Sequence, residues 1–303
     1  MVAEPCLPII VAHGHVADLI EKDVDYIFVP NLLNTETPDM RVESHVCPWG
    51  QTLPFVLRQV PQFRSWFAAG ADDNGRVTEM GAERFGRLLS PRLEFRRGYE
   101  AVRQALRAMT GPLGVPRRIC DRALQAGLAA QNRFRQLLLE AGQRALAKLA
   151  ETDQPAIVLV GRPYNVFDPG VSLAVAHKLR QYYGVNVIPM DCLPTEQVCV
   201  RDVNANMYWN YGRKILAAAK IVGQHPNLHI IYLTNFKCGP DSFIKHFVRR
   251  ASGKPFLTLQ FDAHSNDAGV MTRCEAYLDS KGILRWQPKD RQSRQAAGQT
   301  VPV

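Results

Sequence analysis

Residues Leu228–Phe243 read LHIIYLTNFKCGPDSF. The first eight form a continuous apolar and β-favouring run, the composition of a strand buried on both faces. A cysteine follows within a few residues, and Gly239-Pro240 comes directly after it. That pair predicts a turn and delays helix until Asp241 or later, which leaves the thiol at the strand's end. Doubly buried strands belong to parallel sheets covered by helices. The neighbouring segments should therefore alternate between helix and strand.

Working outward, AIVLVG (156–161) is a second buried strand. The breaker-rich loop RPYNVFDPG follows it, then a helix over VSLAVAHKLRQYYG capped by Gly184. VNVIPMD is another strand, Asn206 to Gly223 a helix, Ser242 to Ser252 a helix, KPFLTLQFD a fourth strand and Asp267 to Ser280 a closing helix. Strands separated by helices of this length predict a parallel sheet with helices on both faces. Gln154-Pro155 marks a boundary upstream. Residues 78–109 and 117–150 read as helix, split by Gly111-Pro112-Leu113-Gly114, and Leu124 to Leu149 is the clearest amphipathic run. Nearer the start, Ile9 to Ile20 reads as helix and Tyr26 to Val29 as a strand ending at Pro30. Residues 35–50 read as irregular, and QTLPFVLRQV gives mixed signals. The chain opens almost directly on Cys6, so the first domain is either small or lacks a preceding segment.

The expected organisation is a partial α/β domain over 1–77, a basic helical segment over 78–153, an α/β domain over 154–280 and a polar tail over 281–303. At 303 residues, 46% apolar and 21% charged, the composition is that of a globular protein. No run of eighteen apolar residues is present, which argues against a membrane span. MVAEPCLPII lacks the charged and apolar regions of a signal peptide, so a cytoplasmic location is expected. The net charge of +9 is concentrated: residues 84–150 hold fourteen Arg or Lys against four Asp or Glu. A solvated helical face accounts for this first. An acidic partner or a phosphate-bearing ligand such as coenzyme A or a nucleotide comes next, and nucleic acid last.

In an open parallel sheet, ligands bind beyond the carboxyl ends of the strands. Four loops fall there: Gly161 to Tyr164, Asp191-Cys192, Asn235 to Asp241, and Asp262 to Ser265. Arg162 has the planar fork to grip a phosphate or carboxylate, or it pairs with Asp262 or Asp168. Asp262 and His264 read as an acid/base pair, or Asp262 and Asp267 cap the following helix. The seven cysteines, at 6, 47, 120, 192, 199, 238 and 274, are odd in number and unaccompanied by a signal, which argues against a disulfide framework. Cys120 and Cys274 lie within helical pattern and read as small core residues. Cys192 and Cys199 are outside candidates near the sheet edge. Cys6, Cys47 and Cys238 each stand beside Pro or Gly, as cluster ligands on bent backbone do. Spacing alone favours core thiols over a metal site, because no CxxC pair anchors one.

EPCLPIIVAHGHVADLIEKDVDYIFVP, CPWGQTLPF, VGRPYNVFDPGVSLAVAHKL, NYGRKILAAAKIV, NFKCGPDSF and GKPFLTLQFDAHSNDAGVMTRCEAYL together resemble the 2-hydroxyacyl-CoA dehydratase-related proteins. The closer resemblance is to the DUF2229-type branch, related to the acyl-CoA dehydratase activase. It implies two flavodoxin-like domains, doubly wound parallel sheets, with a helical segment between them. It also implies a [4Fe–4S] cluster on Cys6, Cys47 and Cys238, and a separate ATP-hydrolysing activase as electron donor. This chain has no phosphate-binding Gly-rich loop of its own. By the same resemblance Arg162 and Tyr164 would line the cavity, and Asp241, Asp262 and His264 would supply polar or proton-transfer groups. The expected function is a reductase- or dehydratase-like component acting on a CoA thioester or other small molecule, with a dimer as its assembly. The alternative is a non-catalytic flavodoxin-like scaffold that binds a nucleotide or coenzyme A, or docks an activase domain. The strand and helix that the family places before Cys6 are not found here.

Overall fold

The computed structural model describes residues 4–67 and 87–285. The chain divides into two compact units. Unit one comprises Met1–Arg133 with Asn206–Asn210, and unit two comprises Phe134–Ala205 with Tyr211–Val303.

Unit one opens with helix α1 (Leu7–Glu21). Two short strands follow, β1 (Ile27–Phe28) and β2 (Asn31–Asn34), then helix α2 (Pro48–Arg58) and one turn of helix, α3 (Arg64–Phe67). Strands β3 (Leu88–Leu89) and β4 (Arg92–Glu94) pair in parallel with β1 and β2 respectively. The two pairs are one ribbon interrupted by prolines. Pro30 and Pro91 have no N–H to donate, which breaks the ladder on both sides. The Val29 N–H to the Leu89 carbonyl and the Asn31 N–H to the Pro91 carbonyl, both 2.9 Å, carry it across the gap. Leu88 and Leu93 are buried, and Leu88 joins Val16, Ile27, Leu57, Phe63 and Trp66 in the core of this unit. Beyond Gly98, whose φ of +85° suits glycine alone, comes helix α4 (Tyr99–Thr110).

Two expectations are corrected here. The helix read over 78–109 gives way to strands at 88–94, because pairing with a partner some sixty residues upstream overrides the local pattern. The part of that reading before residue 87 lies outside the described residues. The irregular or ambiguous stretch around CPWGQTLPFVLRQV is helix α2. Pro48 occupies its first position, where a missing N–H leaves nothing unsatisfied.

Helix α5 (Arg117–Thr152) begins soon after the Gly111–Leu113 turn that sequence places there. Unit two then builds a four-stranded sheet. Its strands are β5 (Ala156–Gly161), β6 (Asn186–Pro189), β7 (Leu228–Asn235) and β8 (Leu257–Phe261). All pairings are parallel, in the order β6-β5-β7-β8. This is the order in which a flavodoxin-like sheet begins, and the mixed α/β architecture follows the sequence expectation. Parallel neighbours cannot be joined by tight turns, so helices make the crossings. These are the short α6 (Pro163–Phe167) and α7 (Pro169–Ser172), then α8 (Val175–Tyr183), α9 (Asn210–Gln224) and α10 (Gly239–Ser252), and α11 (Asp267–Ser280) follows the last strand. Every residue of β5 is buried. Gly161 ends that strand against its neighbour: a Cβ there would stand 2.5 Å from the Leu233 carbonyl oxygen.

Candidate functional site

In the order β6-β5-β7-β8 the chain leaves β5 toward one side and reaches β7 on the other. The crevice beyond the ends of β5 and β7 is therefore the switch point where such sheets bind ligands. Arg162 follows β5 and caps α6; Asn235 to Asp241 follow β7. The structure brings Arg162 and Asp241 together and buries both, at 4% and 1% exposure. Two guanidinium nitrogens of Arg162 lie 3.1 and 3.0 Å from one oxygen of Asp241. The other carboxylate oxygen accepts the Thr234 hydroxyl at 2.5 Å. Burial opposes the charge on Arg162 and is the largest single influence, but Asp241, Tyr164, Cys238 and Tyr232 together outweigh it and raise the guanidinium pKa above its ordinary value. The partner of Arg162 is thus Asp241, and neither Asp168 nor Asp262. Asp168 instead caps α7, accepting the N–H groups of Gly170 and Val171.

Three further polar atoms lie buried here with no partner among the described residues: Tyr232 Oη, Asn165 Oδ1 and Asn235 Nδ2. The Asn165 amide donates to the Leu233 carbonyl at 3.4 Å, extending the ladder past the end of β5. Sequence reading missed Tyr232, Thr234 and Asn165. The first two sit within an apolar strand and the third within a loop read only as breakers. Among the described residues, three of the five non-glycine positions with left-handed backbone fall in the same two connections. Leu173 and Ala174 after β5 and Lys237 after β7 have φ of 52°, 53° and 63°. Left-handed backbone at a non-glycine residue costs on the order of 1–3 kcal/mol.

Tyr164 is about one-third exposed. Asp262 and His264 do not form a side-chain pair. The Asp262 carboxylate accepts the His264 backbone N–H at 2.8 Å and the Ser265 hydroxyl at 3.2 Å, closing a local turn, and the His264 ring is exposed. Asp267 does not cap α11; Asn266 does, through Gly269 N–H, and Asp267 pairs with Lys178. In the Asp191-Cys192 loop, burial raises the pKa of Asp191, and burial with Asp191 raises that of Cys192.

None of the seven cysteines forms a disulfide. Cys120 and Cys274 are buried in helices, as their pattern implies. Cys6, Cys47 and Cys238 share one local setting. Each is the N-cap of a helix, of α1, α2 and α10, with extended ψ of 154°, 154° and 100°. Each helix has proline in its first two positions. Helix α10 therefore starts directly after Cys238, earlier than Gly-Pro suggested, because proline is tolerated in a first turn. The unpaired N–H groups and dipole of a helix start favour a thiolate. The Cys47 Sγ accepts the Gly50 N–H at 3.3 Å. At Cys238 burial and then Asp241 act the other way, pushing the thiol up to about 12. Cys6 and Cys47 belong to unit one and Cys238 to unit two. Among the described residues, no group of three or more His, Cys, Asp or Glu is arranged to hold a metal ion, and no helix is long and apolar enough to cross a membrane.

A family model described as CoA enzyme activase uncharacterised domain (DUF2229) matches residues 1–193. No curated protein and no solved structure matches the chain. The match includes Cys6, Cys47, Arg162 and Tyr164, and ends before Cys238 and Asp241.

Proposed function

Since the chain belongs to the family of the CoA enzyme activase uncharacterised domain (DUF2229), we propose that it is an iron–sulfur component working beside an ATP-hydrolysing activase. Cys6, Cys47 and Cys238 would hold a [4Fe–4S] cluster. The observation that carries this reading is their common setting: three N-cap cysteines on extended backbone, each ahead of a proline in the first helical turn. The donor set suits the group in kind, since thiolates are the usual ligands of such clusters, and the Cys238 thiol, which burial and Asp241 hold protonated, would give up its proton on binding. Bound, the cluster would supply one-electron storage. The buried Arg162–Asp241 pair is a positioning element in this reading. It ties the loop after β5 to the first turn of α10 and so fixes the backbone that carries Cys238. Tyr164, partly exposed beside it, is the group best placed to meet a substrate such as a CoA thioester. Asp262 serves its own turn, and His264 remains available to solvent.

A second reading, a non-catalytic flavodoxin-like scaffold for a nucleotide, coenzyme A or an activase domain, draws on one observation. The charged groups of the switch-point crevice neutralise each other. Anaerobic reconstitution with iron and sulfide separates the two. The iron–sulfur reading expects about four iron atoms per chain and a paramagnetic signal on reduction. A correctly folded protein that retains no iron leaves only the scaffold.

A further inference from the structure

Helix α5 carries a face that the described residues leave exposed. Ile119, Ala123, Ala126, Ala130, Phe134 and Leu137 recur at intervals of three and four and share one side of the helix. All six are exposed, the three large ones at 38, 55 and 45%. The stripe runs for about 27 Å at the rise of an α-helix. It is distinct from the side of α5 that packs inward, where Cys120 and Gly142 are buried.

The flank of this stripe is basic. Arg118, Arg122, Arg133 and Arg144 fall along one edge of it at 100° per residue. All four are exposed and make no ion pair among the described residues. This differs from α4, whose Arg103 and Arg107 are neutralised by Glu100 and Asp121. Glu140 also falls on the α5 edge, where it accepts from Gln136.

We propose that this face of α5 docks an acidic amphipathic helix of a partner protein. The chemistry narrows the occupant in three ways. Alanines at the centre of the stripe permit two helix axes to approach closely, at about 8 Å. The same alanines offer little apolar bulk, which suits a helix better than insertion into lipid. An antiparallel second copy would set arginine edge against arginine edge, since a two-fold axis brings like flanks together. A partner with glutamates along its flank meets the arginines with opposite charge.

The test uses the whole chain and two labelled peptides of about 28 residues, long enough to form helix. Both have the same Ala/Leu seam; one is flanked by Glu and the other by Lys. Fluorescence anisotropy is expected to show binding of the Glu peptide alone. That affinity should fall by about tenfold or more with added salt and in Arg122→Glu/Arg133→Glu. Ala130→Gln, on an exposed position, should weaken it similarly by preventing close approach, with the helical circular dichroism unchanged. The proposal is overturned if the Glu peptide does not bind, if the Lys peptide binds equally, or if these variants leave binding intact. It is also overturned if Ala130→Gln dissociates a dimer seen in sedimentation. Binding to phosphatidylglycerol vesicles lost in the same variants would assign the face to a membrane surface instead. None of these readouts requires iron.

Discussion

Arg162 and Asp241 are the residues whose surroundings decide most at the switch point. Each is buried, and each leaves the other uncompensated if removed. Arg162→Met should destabilise unit two by about 3–5 kcal/mol, and Asp241→Leu by a similar amount, because a lone charge would remain in the interior. The double variant should recover much of that loss. Urea unfolding of the four proteins measures the coupling, and a single variant as stable as the parent would contradict it. Cys238 gives a second prediction at this scale. Burial and Asp241 push its thiol up to about 12, so at pH 8 it is uncharged in the iron-free protein. Iodoacetamide should therefore modify the exposed Cys199 well before Cys238. Equal rates, read by peptide mass spectrometry, would count against the described environment. Arg162 could be nominated from sequence because an arginine after a buried strand is conspicuous. Its partner could not, since Asp241 lies 79 residues away and Asp168 and Asp262 offered equal chemistry in neighbouring loops.

At the scale of elements, length determined what could be read. β5, β7 and α5 are long enough for a run or a period to show, and the sequence locates all three. β3 and β4 have two and three residues, too few for any period, and exist because β1 and β2 await them. The start of α10 shows a subtler point: Gly-Pro reads as a barrier, yet proline fits the first turn of a helix. Packing of elements yields a paired test on α5. A Cβ on Gly142 would collide with the Cys192 carbonyl, whereas Gly127 has open space around it. Gly142→Ala should destabilise by about 1–3 kcal/mol through overpacking. Gly127→Ala should instead be neutral or stabilising by up to about 1 kcal/mol, from helix propensity. Thermal melts compare the two, and equal effects would mean that α5 does not pack on the Cys192 turn as described.

For the molecule as a whole, the family match spans the Met1–Arg133 part of unit one and the first two strands of unit two, and stops short of Cys238. The alternation of strand and helix after residue 154 made the parallel sheet legible, because each crossing helix leaves its own pattern. The grouping of residues into units was harder to read. Asn206–Asn210 belong with unit one although they lie deep in the sequence of unit two: the His45 N–H meets the Tyr208 carbonyl, and the Asn210 amide donates to Ser44. No composition change announces that return. In the proposed function Cys6, Cys47 and Cys238 act as one ligand set. Iron content after anaerobic reconstitution of Cys6→Ser, Cys47→Ser, Cys238→Ser and Cys199→Ser tests it most directly. Each of the first three should lose most of its iron while remaining folded, and Cys199→Ser should keep the full complement. Iron binding that survives all three substitutions, or that fails equally in Cys199→Ser, would contradict it.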